Sequence, residues 1–360
     1  MWIKTADGSI VADDGKVIYF SPTRFISDIG LGHCCFICGR DRAAIEFNDE
    51  HVIPQWALRR YDLYDRKITL PNGIQLPYGR YKVPCCVDCN ALLGTSVEEP
   101  ISEAVARGPS ESRKLIQSPS AAMMLFVWMA LIFLKTHLYD RHLRFHLDKR
   151  KGSKRIADLY EWHALHHIHT LVRNIYVGAP VDSWNIGSLW ALPAADAQEK
   201  FDYFDIYETQ TVLLRFDGVG FVAALNDCGK AGAYYTGHLS RITGPLSPIQ
   251  LREVFAELSY LNDRLHPRPS FMSDIDAAKE RLILRAEPPS DPQLIGLDPA
   301  IRGKYLRFAL QPWRGKLFMS GASDPISDDA MDDKGFSTLF HEGEYIADPR
   351  LPNIPKQKSV

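Results

Sequence analysis

The chain has 360 residues, which exceeds the ~250–300 at which single hydrophobic cores stop growing and suits about two or three domains. At 46% hydrophobic and 24% charged it has the composition of an ordinary globular protein. A formal net charge of -2 marks neither a uniformly basic nor a uniformly acidic chain, so charge has to be read segment by segment.

The N-terminal MWIKTADGSIVADDGK has no basic start leading into an apolar core, which predicts no secretory signal. The alternating stretch GSIVADDGKVIYF predicts a hairpin turned at Asp13-Asp14-Gly15. Six of the seven cysteines then fall in two clusters, 34, 35, 38 and 85, 86, 89, with Cys228 alone and read as a core residue. Cys35-x-x-Cys38 and Cys86-x-x-Cys89 supply four thiolates, the number a closed tetrahedral zinc site takes. Cys34 and Cys85 leave some ambiguity about which sulfurs bind, and the CxxC spacing favours 35 and 86. Between Cys38 and Cys86 lie 47 residues, more than the ~15–20 of a plain ribbon, so something is inserted in the clamped loop. Within that insertion stands NDEHVIPQW, an acid beside a histidine.

An acidic residue before a histidine and an apolar-apolar-proline turn, bracketed by CxxC knuckles of which the second is followed by asparagine, resembles the HNH endonuclease family. The matching residues are Glu50-His51-Val52-Ile53-Pro54 and Cys86-Val87-Asp88-Cys89-Asn90, and the resemblance covers about residues 34–100. It implies an α+β fold class, a zinc-stabilised ββα-metal finger followed by a mixed helical and β module. It also implies that His51 is the general base and that Glu50 and Asn90 are ligands of a catalytic Mg²⁺ or Mn²⁺ in phosphodiester hydrolysis. The zinc on Cys35, Cys38, Cys86 and Cys89 would hold the finger in register. The family usually carries aspartate before the base, so Asp49 is an alternative to Glu50. It often has a further histidine where this chain has Gly94. Asn72, in LPNG, is a candidate for the middle asparagine, although Asn-Gly is itself a turn signal.

Residues 51–85 carry six Lys/Arg against Asp62 and Asp65, a local +4, and Arg59, Arg60, Arg80 and Lys82 are the candidate DNA-backbone contacts. Tyr61, Tyr64, Tyr78 and Tyr81 interleave with them and are read mainly as packing residues. The helical pattern ALLGTSVEEPISEAVARG is interrupted at Pro100, and GPSESRKLIQSPS ends the first block. These readings divide the chain into a nuclease domain at 1–108, a linker at 109–119, a helical plus α+β recognition or regulatory module at 120–290, and a Pro-rich, acidic segment at 291–360.

From 120 to about 177 the pattern predicts helix. It opens with the apolar run Ala121–Leu134, shorter than the ~18–20 residues that span a bilayer and therefore read as a buried core helix of a cytoplasmic protein with no membrane partner. The stretch 141–155 holds seven Lys/Arg against Asp148, net +6, either a solvated helix C-terminus or a second DNA contact. His163, His166, His167 and His169 are read as ordinary helix residues. Asp217-Gly218 predicts a tight turn between two strands, and Ser247-Pro248-Ile249-Gln250 a capped helix start. Residues 324–348 carry eight Asp/Glu against one lysine, a solvated tail or a segment that masks a basic groove.

The expectation is a DNA-cleaving HNH enzyme of host-defence or restriction type, with residues 109–360 binding a protein partner or a second copy. The alternative is an inactive zinc-stabilised DNA- or protein-binding component of a larger complex.

Overall fold

A computed structural model of the chain describes residues 1–313 and 327–347. It is a mixed α and β protein in two compact units, the first made of 1–186 and 270–287, the second of 187–269 and 288 onward.

The first unit begins with an antiparallel meander, β1 (Trp2–Lys4), β2 (Ile10–Ala12) and β3 (Val17–Tyr19), turned after β2 at the predicted Asp-Asp-Gly. Gly15 has φ +83°, the left-handed conformation that turn needs. Ser21 caps the short α1 (Pro22–Arg24). After the first cysteine pair, β4 (Glu50–His51) leads into α2 (Gln55–Arg60) and a hairpin of β5 (Lys67–Thr69) and β6 (Gln75–Pro77). The chain returns as β7 (Lys82–Val83), antiparallel to β4, and passes straight into α3 (Val87–Leu93). A π-helical stretch, Gly94–Glu98, joins α3 to α4 (Glu99–Ala106), which has Pro100 in its first turn, where the missing N–H costs nothing. Helical backbone runs on from α3 through the π-helical stretch into α4, so Pro100 does not break it, and the α pattern gives way only over 94–98.

The expected linker at 109–119 is instead mostly helix, α5 (Pro109–Lys114), and leads into α6 (Pro119–Asp140). The boundary expected near 108–119 does not separate the units, because α6 forms the core of the cysteine-bearing one. Leu125, Phe126, Trp128 and Phe133 are all fully buried, and Lys135 of the same helix reaches back to β4. The 22 residues of α6 are long and apolar enough to cross a membrane, so the length argument drawn from the apolar run does not hold. Most of the helix is buried inside the protein, the behaviour of a core helix.

Helix does not continue to 177 as expected. It stops at Asp140, and 141–155 closes on itself as a loop before α7 (His166–Val177), which ends at Gly178 in the left-handed conformation. A hairpin of Ser270–Asp276 and Arg281–Glu287 returns to complete this unit. Leu284 O accepts from Asp182 N–H and Asn185 Nδ2, and the Phe271 ring stacks on His167.

The second unit is a four-stranded antiparallel sheet in the order β8 (Leu189–Pro193), β11 (Val219–Ala224), β10 (Thr211–Phe216), β9 (Phe201–Ile206). The turn at Asp217-Gly218 pairs Phe216 with Val219, as the dipeptide predicts. After the short α8 (Lys230–Ala233) and α9 (Thr236–Leu239), α10 (Pro248–Arg264) starts with Ser247 and Gln250 in a reciprocal capping box. Its Val254, Phe255 and Leu258 pack with Leu213 and Val222 of the sheet and with Leu306 of α11 (Pro299–Ala309). Helix α11 falls inside the segment 291–360, which the sequence marks only as Pro-rich and acidic. The described part of the acidic segment, 327–347, is tied to α10. The Glu253 carboxylate accepts from the hydroxyls of Ser337 and Thr338 at 2.5 Å each, and Gln250 Nε2 donates to Thr338 O and Ile346 O. The rest of the expected acidic segment, 324–326 and 348, lies outside the described residues.

Candidate metal centre and acid-histidine strand

The sulfurs of Cys35, Cys38, Cys86 and Cys89 lie within 4.8 Å of one another and all four residues are buried. Zn–S bonds of ~2.3 Å in a tetrahedron put sulfurs roughly 3.8 Å apart, so the quartet fits a zinc ion with little adjustment. The spacing argument for 35 and 86 over 34 and 85 thereby agrees with the structure. Cys85 Sγ lies 4.0 Å from Cys35 Sγ but falls outside the quartet, and Cys34 is half-exposed.

Local chemistry shapes both knuckles. At the first, Gly39 N–H donates to Cys35 O at 2.9 Å with φ +78°, and a Cβ there would lie 2.3 Å from the Phe20 ring. Only glycine closes that turn. At the second, Cys86 is the N-cap of α3 and Cys89 sits in the first helical turn. Cys86 N–H points to Cys35 Sγ at 3.4 Å, one N–H···S contact across the site.

Burial disfavours negative charge on the quartet's thiols. Contacts from the Cys38, Cys85 and Cys89 thiols drive the Cys35 thiol far below the ordinary range. The burden falls on its neighbours: burial pushes Cys86 up to about 11, and the Cys35 contact, with burial, raises Cys89. A divalent ion at the centre would offset the cost of thiolate charge in this buried setting.

Two residues of α7 brace the first knuckle. His169 Nε2 lies 2.9 Å from Phe36 O, while Arg173 Nε donates to Ile37 O at 2.5 Å. Arg173 also donates to Ile18 O and Val17 O of β3, joining the knuckle to the meander. Burial lowers Arg173 to about 10 and lowers His169 well below its usual value. Within the histidine cluster, His169 and His166 each engage a backbone carbonyl, Phe36 O and Phe20 O. Its link to the knuckle was missed, because carbonyl partners leave no side-chain motif.

The acid–histidine pair occupies β4, where Glu50 stands opposite Val83 and His51 opposite Lys82. Glu50 and His51 are both buried. Glu50 Oε1 accepts a 2.7 Å bond from Lys135 Nζ, which donates a second 2.7 Å bond to His51 O and lies 3.6 Å from Glu98 Oε1. Burial opposes the Lys135 charge, but Glu50 and Glu98 outweigh it and leave its pKa raised. Burial pushes Glu98 up to about 7. Lys135 follows directly on an apolar run, and a cation with 0% exposure there was the signal that went unread.

The His51 ring is held edge-on to Tyr64, with centroids 6.1 Å apart. Burial, then the neighbouring Lys82 cation, lowers its pKa, while a hydrogen bond to the Gly79 backbone works the other way. Nδ1 has no partner and is shielded from solvent. Burial thus disfavours the imidazolium form, and Nδ1 is a buried nitrogen without a partner.

The remaining candidates are distributed around this strand. Asn90 Nδ2 donates to Asn48 Oδ1 at 2.8 Å, so α3 meets the approach to β4 through an amide pair. Asp49 has φ +45° and pairs with Arg42 at 2.5 Å. Arg59 bonds Gln55 Oε1, Arg60 lies over the Tyr61 ring, and Arg80 and Lys82 are exposed. Tyr81 is a packing residue whose hydroxyl donates to Asp140. Asn72 sits in the β5–β6 turn, its Oδ1 accepting from Ile74 N–H and its Nδ2 donating to Arg144 O, which is the turn role rather than an orienting one for His51.

Comparison of the chain with protein-family models, characterised proteins and solved structures returns no match, so the functional reading rests on these residues alone.

Proposed function

We propose that the protein is a metal-dependent HNH-type endonuclease that hydrolyses DNA phosphodiester bonds. The observation that carries this reading is the order β4, β7, α3: an acid–histidine pair on the first strand of an antiparallel pair, then a helix opening on the second cysteine knuckle. A His51 whose charged form is disfavoured by burial and whose Nδ1 has no protein partner suits a general base, provided water reaches that buried nitrogen. It would take a proton from water as the water oxygen bonds to phosphorus and the leaving sugar oxygen departs. Lys82, paired with His51 across the strands, would counter charge on the phosphate. A Cys35–Cys38–Cys86–Cys89 zinc would fix the geometry, and seven cysteines free of disulfides suit the reducing cytoplasm.

For the second metal, Mg²⁺ or Mn²⁺, the donors do not stand assembled. The Glu50 carboxylate is bound by Lys135, and Asn90 is bound to Asn48. Asp49 and Asn90 are both half-buried, Asp49 held by Arg42 and Asn90 by Asn48.

The same observations favour a second reading, a zinc-stabilised DNA- or protein-binding component without catalysis. A His51 ring of 4% exposure and a Glu50 committed to Lys135 are what a purely structural strand would show. Plasmid cleavage with Mg²⁺ or Mn²⁺ separates the two. His51→Ala is expected to abolish cutting while zinc content and folding persist. Cleavage unchanged in that variant would refute the enzyme, and a gel shift without cutting would favour the binding component.

A further inference from the structure

Beyond α6 the chain forms a closed loop whose charge the fold leaves largely unpaired. Arg144 and Arg155 face each other in an antiparallel bridge, with Phe145 N–H donating to Lys154 O and Ile156 N–H to Leu143 O, both at 2.9 Å. Like charges directly opposite across a strand pair are destabilising. Lys149, Arg150 and Lys151 form the turn at the far end, where Asp148 accepts from Arg150. Asp148 is the sole acid between 141 and 155. The plainer explanation, cations complementing a helix C-terminus, does not apply. The helix ends at Asp140, and its dipole acts only within the last turn.

The loop is also held in place. Asn72, at the tip of the hairpin inserted between β4 and β7, donates through Nδ2 to Arg144 O at 2.9 Å. Arg144 Nη2 donates to Gly152 O at 2.6 Å across the loop, and Lys154 Nζ sits 5.8 Å from the Phe145 ring centroid. Phe145 and Leu147 are 40% and 55% exposed among these cations. A fixed, basic, partly apolar protrusion is thereby joined to the insertion that carries Arg66 and Lys67.

We propose that the loop 143–156 is a second grip on duplex DNA, its cations contacting the phosphate backbone next to the finger. The inference rests on the nucleic-acid reading above and names where the duplex extends. Charge complementarity commits it to that occupant: a polyanion would relieve the Arg144–Arg155 repulsion and release its own counterions on binding.

The test uses the full chain carrying His51→Ala, so that DNA is not cut, and measures affinity for a short duplex by fluorescence anisotropy from about 50 to about 200 mM salt. The comparison is with the same protein carrying Lys149→Ala, Lys151→Ala and Lys154→Ala, three exposed residues. Each phosphate left without its lysine is expected to make the slope of log affinity against log salt shallower by ~0.9, hence roughly 2–3 in all, with affinity down tenfold or more at the lowest salt. Lys304→Ala, an exposed lysine of the other unit, is expected to change neither. Slope and affinity equal to the parent's would overturn the proposal. So would a loss confined to duplex RNA or to an acidic peptide, or a parent that fails to bind duplex DNA. Protein with His51 intact that binds DNA through this loop but cuts nothing with Mg²⁺ or Mn²⁺ would support the grip and remove the nuclease, so the two failures are distinct.

Discussion

The cysteine quartet and the acid–histidine strand are interleaved in the chain, yet they solve the burial of negative charge in opposite ways. Around the quartet, Arg40 bonds Cys38 from the edge and Arg173 serves one carbonyl of the first knuckle, Ile37 O. Contacts between the thiols lower Cys35 and burial raises Cys86, which pushes the thiol values apart. At β4 the chain provides its own cation, Lys135, inserted between Glu50 and Glu98. A candidate metal site is better recognised by the charge it lacks than by the ligands it has. By that measure the quartet asks for an ion, whereas Glu50 does not.

The largest effect should come from taking the quartet's ion away. Structural zinc is worth ~10–16 kcal/mol in zinc-finger peptides, so chelation, or Cys86→Ser with Cys89→Ser, is expected to unfold the first unit. Zinc quantification with circular dichroism checks this, and full zinc retention in both serine variants would contradict a four-thiolate site. Next, Lys135→Met leaves Glu50 and Glu98 buried without a cation and should cost about 3–5 kcal/mol, read by denaturant unfolding. Adding Glu50→Gln and Glu98→Gln should recover part of the loss. A cost below about 1 kcal/mol would mean that Lys135 does not neutralise the strand.

A smaller effect is a slope with pH. Burial raises Glu98 above the ordinary carboxylate range to about 7, so between these values the folded state holds a proton that the unfolded state has released. Its contribution is fully present below the ordinary carboxylate value and is lost as pH rises through about 7, at up to ~1.4 kcal/mol per pH unit. Glu253, raised to about 7 by burial in the other unit, acts in the same direction. Glu98→Gln should flatten the slope for the first unit alone, and a pH–stability curve identical to the parent's would contradict this assignment. Smallest is Asn90→Ala, which removes one amide hydrogen bond and should cost about 0.5–1.5 kcal/mol with zinc retained. If cleavage nonetheless disappears, Asn90 does more than hold Asn48.

Local signals in the sequence were legible where the chemistry is itself local. The Asp-Asp-Gly and Asp-Gly turns, the Ser247 cap and the cysteine spacing each depend on residues within a few positions, and each element is present. What escaped was set by distant partners. Lys135 read as the tail of an apolar run because its partners are about 85 residues upstream and at Glu98. Arg173 serves backbone carbonyls, which leave no trace in side-chain patterns. The segment 141–155 was read as helix although Leu143, Phe145 and Leu147 alternate as in a strand, and the pairing of Arg144 with Arg155 closes a loop instead. The unit boundaries escaped for the same reason, since the hairpin at 270–287 belongs with residues far before it.

That returning hairpin has a consequence for how the protein is made. By the time residue 186 leaves the ribosome, every cysteine of the quartet, Lys135 and Arg173 have been synthesised, but Phe271 and Leu284 are still to come. About 100 residues must follow before the hairpin is complete, some 5–20 s at ~5–20 residues per second. During that interval a nascent first unit has its four thiols but lacks two strands, so capture of a metal ion would precede closure. Vectorial synthesis therefore makes the quartet an early anchor and Leu284 a late fastener.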